Sequence, residues 1–145
     1  MNGRFGHSVS YLVSRISVVL LIGLGSISVD RSRGGFAKPF QRSLELLMRG
    51  KNLLILPEDP KTPLDAGTQM RPFMVGFTWL CHTYFTETGQ RLPVYPLAAY
   101  PQARTISIGK PLFFPHEGDP RRQIRVFGRQ VEAEVKALYQ SLANP

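Results

Sequence analysis

Residues 50–67, G-K-N-L-L-I-L-P-E-D-P-K-T-P-L-D-A-G, constrain the fold more than any other stretch. The four consecutive aliphatics at 53–56 suit a short strand covered on both faces. Pro57 closes that strand, because proline has no N–H to give to a ladder. Glu58, Asp59 and Lys61 follow in a proline-bearing loop, and open α/β sheets place their ligands beyond the carboxyl ends of their strands. Charges and prolines are also ordinary loop filler, so a plain connection is the competing reading.

The chain has 145 residues, 43% of them hydrophobic, which fits a globular class with a substantial core. Its formal charge of +8 favours anionic partners such as phosphate esters, coenzyme A, nucleic acid or an acidic membrane surface. A basic chain that is merely well solvated is the alternative. Cys81 is the single cysteine, which excludes an internal disulfide framework and a cysteine-based zinc site. Beside Phe77, Trp79 and Leu80 it reads as a buried structural thiol.

Residues 1–24 form a poorly defined apolar segment. The run 16–24, with Arg4 and Arg15 before it and small residues after, imitates a secretory signal peptide. It is shorter than the roughly 20 apolar residues that a spanning helix needs. The rival reading, a short element leading into a buried strand at 25–29, is preferred. Arg31, Arg33 and two glycines come next, and arginine forks beside close-approaching backbone suit an anion. A solvated turn would look the same. Phe36, Phe40, Leu44, Leu47 and Met48 then make one helical stripe, with Pro39 near its start and Gly50 just past its end. Strand, loop, helix and strand predict a βαβ unit whose two loops open on one edge of a parallel sheet.

A second helix is expected over 71–88, stopped by Gly89, with Phe73, Phe77, Leu80, Tyr84 and Phe85 inward. Residues 92–100 read as a strand that Pro93 and Pro96 make bulged or place partly at an edge. The stretches 105–108 and 110–114 make a bent strand or two short ones around Gly109. Asp119 and Pro120 start a helix whose residues Ile124, Phe127, Val131, Val135, Leu138 and Leu142 step by three or four. That stripe is core.

Together these pieces resemble the glycerophospholipid acyltransferase superfamily, which includes lysophosphatidate acyltransferases, over residues 25–145. Gly25-Ser26-Ile27-Ser28-Val29-Asp30-Arg31 is similar to its G-x-x-x-(I/V)-D-R motif. Leu56-Pro57-Glu58-Asp59-Pro60-Lys61 resembles the strand end F-P-E-G-T-R, and Gly67 a glycine that follows it. Leu92-Pro93-Val94-Tyr95-Pro96-Leu97 resembles V-P-V-x-P-V, and Gly109-Lys110-Pro111 a late G-x-P. The resemblance implies an α/β fold with a mostly parallel sheet flanked by helices. It implies acyl transfer in phospholipid biosynthesis, from acyl-CoA or acyl carrier protein as co-substrate to a lysophospholipid or glycerol phosphate-like hydroxyl. No other cofactor and no metal is implied. Arg31, Arg33, Glu58 and Lys61 would bind the acceptor, supported by Asp30, Pro57, Asp59, Gly67 and Pro96. Such a protein would be cytoplasmic, with peripheral contact at the inner membrane face.

Two departures qualify this. The family's H-x-x-x-x-D base precedes the D-R motif, whereas here Leu12 follows His7 by five, Arg121 follows His116 by five, and His82 with Glu87 comes too late. The catalytic base is therefore absent, and the expectation is an N-terminally truncated domain with impaired activity. Asp59 replaces a glycine and adds a negative charge beside the phosphate site. A non-catalytic module binding lipid phosphate or CoA is the alternative. A basic nucleic-acid-binding protein is the third, disfavoured because the arginines read as scattered rather than striped.

Overall fold

The computed structural model describes Ile27 and residues 35–143. The chain divides into two compact units, Met1–Ser43 and Leu44–Pro145. Helix α1 (Ala37–Met48) begins in the first and ends in the second. Within the first unit, Phe36 and Phe40 lie one helical turn apart with ring centroids 5.6 Å from each other. Within the second, Leu47 is the buried member of the expected stripe and Met48 is exposed.

The second unit continues with α2 (Gly76–Thr88), β1 (Pro93–Val94), β2 (Leu97–Tyr100), a 3-10 turn (Pro101–Ala103), β3 (Thr105–Ile108), β4 (Leu112–Phe113) and α3 (Pro120–Ala143). Helix α3 starts where the sequence places it. Asp119 accepts the N–H groups of Arg121 and Arg122 at 3.3 and 3.1 Å, and Pro120 costs no hydrogen bond in the first turn. Its stripe Ile124, Phe127, Val131 and Val135 is buried together with Met70, Cys81, Ala98 and Phe114. Buried Gly128 lets α2 approach: a Cβ there would stand 3.1 Å from Cγ1 of Val75.

Helix α2 begins at Gly76, not at Arg71 as the periodicity predicts. The backbone just before it is held sideways instead. Arg71 N–H donates to Glu58 Oε2, Phe73 N–H to Glu132 Oε2 and Met74 N–H to the Pro57 carbonyl, at 2.8–3.0 Å. The end is as expected, with Gly89 left-handed at φ 70° and its N–H on the Phe85 carbonyl.

The expected strand at 92–100 is broken at Tyr95 and Pro96 into β1 and β2, which pair antiparallel with β4 and β3. One bond spans the break, Gly109 N–H to the Pro96 carbonyl at 2.8 Å. Gly109 permits this approach, since a Cβ would lie 3.2 Å from Leu138 Cδ1. On the β2–β3 pair, Ala98 turns in to the core while Leu97, Ile106 and Ile108 are exposed.

The strand expected at 53–56 needs correcting. These residues have no ladder partner among the described residues, and Leu54 and Leu56 are 78% and 80% exposed. A short aliphatic run is equally apolar whether a sheet covers it or a groove opens on it. Its expected partner at 25–29 lies outside the described residues apart from Ile27. Among the described residues every ladder is antiparallel.

Candidate functional site

An open groove of about 870 Å³ runs through the second unit. Residues 53–56 form one wall and β1 with β2 the other. Buried Leu80, Cys81, Ala98, Val131 and Val135 form its floor. Tyr84 and Tyr139 also line it, and Glu58, Thr68 and Gln69 add polar groups. The surface offered is mostly aliphatic and aromatic, with Lys51, Asn52 and Gln102 also on the lining, which suits an apolar ligand that carries polar groups.

Three of the candidate residues lie on this groove: Pro57, Glu58 and Pro96. Glu58 is half-buried, and one carboxylate oxygen is taken by the Arg71 N–H. The bridge between Glu58 and Phe73 fixes its backbone. Asp59 is not part of the groove lining. Its Oδ1 accepts the Lys61 N–H at 3.0 Å and its Oδ2 the Thr62 hydroxyl at 3.1 Å. These bonds make Asp59 an aspartate that helps fold its own loop. Lys61 and Gly67 are exposed and lie off the groove. A Cβ on Gly67 would meet only Asp65 Oδ1, at 3.5 Å. Asp30, Arg31 and Arg33 lie outside the described residues.

The turn beside Gly67 is built by Asp65, whose Oδ1 accepts Thr68 N–H, Thr68 hydroxyl and Gly67 N–H. The hydrogen bonds from Thr68 lead the causes that hold this carboxyl below its ordinary value. The turn in turn places Thr68 and Gln69 on the groove. Neither was singled out from the sequence, although D-A-G-T is a recognisable aspartate turn. Tyr139 continues the Val131, Val135 row by one more step of four and was legible there.

No histidine lines the groove among the described residues. His82 packs against Trp79, Phe114 and His116, with ring centroids at 6.0, 5.7 and 6.4 Å. His116 stacks on Phe85 at 3.6 Å. Nδ1 of each is shut off from water without a hydrogen-bond partner. Desolvation first, then the positive charges of Arg91 and His82, lowers the His116 pKa below 6.5. The unfolded chain therefore takes up this proton first. The contribution of neutral His116 is complete above about pH 6.5 and is lost as pH falls toward the folded value. Urea midpoints at pH 7 and pH 5 should fall less in His116→Phe than in the wild type; an equal fall in both would show that His116 does not carry the effect.

Cys81 also lies on the floor, and burial pushes its thiol up to about 12. That leaves its thiolate fraction near neutral pH on the order of a thousandfold below that of an ordinary thiol. Cys81 should resist maleimide in the native protein and react at the rate of a free thiol in urea. Comparable rates in both would contradict its inertness.

Among the described residues, no group of three or more His, Cys, Asp or Glu could hold a metal ion. Among the same residues no helix is long and apolar enough to cross a membrane. No family model, no curated protein and no solved structure matches the chain.

Proposed function

We propose that the Leu44–Pro145 unit holds a long acyl chain, as part of an acyltransferase-like protein of phospholipid metabolism that binds its ligand but turns it over poorly. The groove carries this reading: about 870 Å³ of largely apolar space with Glu58 on its lining. The ordered acyltransferase-like motifs supply the class of ligand, an acyl thioester of CoA or of a carrier protein, or a lysophospholipid. Weak turnover follows from the placement of His82 and His116 among aromatic side chains away from the groove. A positioned general base contributes about 10²–10⁴-fold, and among the described residues no histidine lines the groove to supply one.

Calorimetric titration with CoA and with acyl-CoA esters of increasing chain length tests the binding. Each methylene that enters the groove should add up to about 0.8 kcal/mol. Affinity independent of chain length would refute the acyl reading. A thioester-release assay with lysophospholipid acceptors tests the chemistry, with little turnover expected. Robust turnover abolished by His82→Ala would overturn the assignment of His82 to packing.

A further inference from the structure

We propose that the outer face of α3 binds the phosphodiester backbone of nucleic acid, without regard to base sequence, through Arg121, Arg122, Arg125 and Arg129. The arginines that look scattered along the sequence are gathered by this helix. Arg121, Arg125 and Arg129 recur every fourth residue, so with about 1.5 Å of rise per residue they form a row about 12 Å long. Arg122 stands beside the row. All four are exposed, and among the described residues none of their guanidinium groups is in an ion pair. Arg129 Nε donates to the Arg125 carbonyl at 3.4 Å, which lays that side chain back along the helix.

Two of the nearby carboxylates are committed elsewhere, and those of Glu117 and Glu134 are exposed and pair with none of the four arginines. Asp119 caps the helix, and Glu132 holds Lys136 at 2.7 Å and the Phe73 N–H. Arg121 and Arg122 lie in the first turn, which has no acidic residue and where positive charge opposes the helix dipole. Charge meant only to keep the chain in solution has no reason to gather at that end. All four are arginines, whose planar fork matches a phosphate. The opposite side of the helix is locked into the core by Ile124, Phe127 and Val131, so the row is presented on a rigid support.

A bilayer fits this face less well. A helix lying in a membrane interface sinks an apolar stripe into it, and here that stripe is buried in the protein. Val126, 44% exposed, is the largest apolar side chain among these arginines. The proposal does not depend on the groove and can fail without it.

The test is fluorescence anisotropy of the full chain with a labelled random-sequence duplex, between 50 and 200 mM salt. Four phosphate contacts predict a slope of log Kobs against log salt of roughly −3.6. Arg125→Gln with Arg129→Gln should weaken binding at least about tenfold and flatten the slope by about two. Arg104→Gln with Lys110→Gln removes the same charge from other exposed positions and should change affinity less than about threefold. Arg125→Lys with Arg129→Lys should keep the slope and recover part of the affinity. All of these side chains are exposed, so the unfolding midpoints should stay close together. Equal losses from both glutamine pairs would overturn the proposal by reducing it to net charge. So would arginine-dependent binding to anionic vesicles or polyglutamate with none to the duplex.

Discussion

Phe127→Ala is expected to lower stability by about 3–5 kcal/mol, the usual cost of removing a buried phenyl ring from a packed core. Phe127 is 0% exposed, and its ring meets that of Phe114 edge-on at 5.6 Å. It sits where α3 joins the other core elements, in a cluster that also holds Cys81 of α2 and Ala98 of β2. Collapse into the vacated space would require these elements to move together, so little of the loss can be recovered. A native chain of this size has about 5–15 kcal/mol to lose. The variant should therefore unfold at a much lower urea concentration or fail to fold at ambient temperature. A midpoint within experimental error of the wild type would show that the core is not organised around this ring.

Ala99→Trp is expected to weaken long-chain acyl-CoA binding by about 50-fold while leaving the fold intact. Ala99 is exposed, lines the groove from β2 and faces Ile106 across the ladder. An indole there would occupy the space of about three methylenes, and at about 0.8 kcal/mol each the loss is near 2.4 kcal/mol. The strand itself should tolerate the change, because aromatic and β-branched residues pair well across strands. Ala103→Trp, on the exposed 3-10 turn and off the groove, is the control and should bind like the wild type. Affinities compared for short and long acyl-CoA esters would give the answer. If Ala99→Trp binds every ester as the wild type does, the acyl chain lies somewhere other than in this groove.

What the sequence discloses is uneven, for physical reasons. Helix α3 was legible because its apolar period reports directly on which side is buried, and because Asp119 and Pro120 are local start signals. The apolar run at 53–56 was misleading, because such a run reports an apolar setting without saying what supplies it. The start of α2 was misread for a different reason. Phe73 continues the helical spacing, yet its N–H is claimed by Glu132, 59 residues further along, and no local pattern encodes a partner that distant. On the groove, Glu58 was legible as a polar residue just past an apolar run and Pro96 entered through the resemblance, whereas Thr68 and Gln69 needed the turn of Asp65 to place them. Asp59 illustrates the reverse case. Its short-range bonds to Lys61 and Thr62 were available to a local reading, and they explain a residue that looked like an electrostatic obstacle.

The break at Pro96 gives one wall of the groove a joint. Proline offers no N–H there, so β1–β4 and β2–β3 cannot fuse into one continuous ladder, and the single Gly109 to Pro96 bond acts as the pin between two plates. Plates of two and four residues a side are too short to enforce a common twist. Pro96 itself is buried, and the Gly109 backbone lies against it and Leu138, so the joint is held from inside the core. The floor draws on α2 and α3 and on Ala98 of β2, so the second plate is anchored in the same core as those helices. A wall assembled from two separately laddered pieces can be altered by substitution in one piece without unpairing the other.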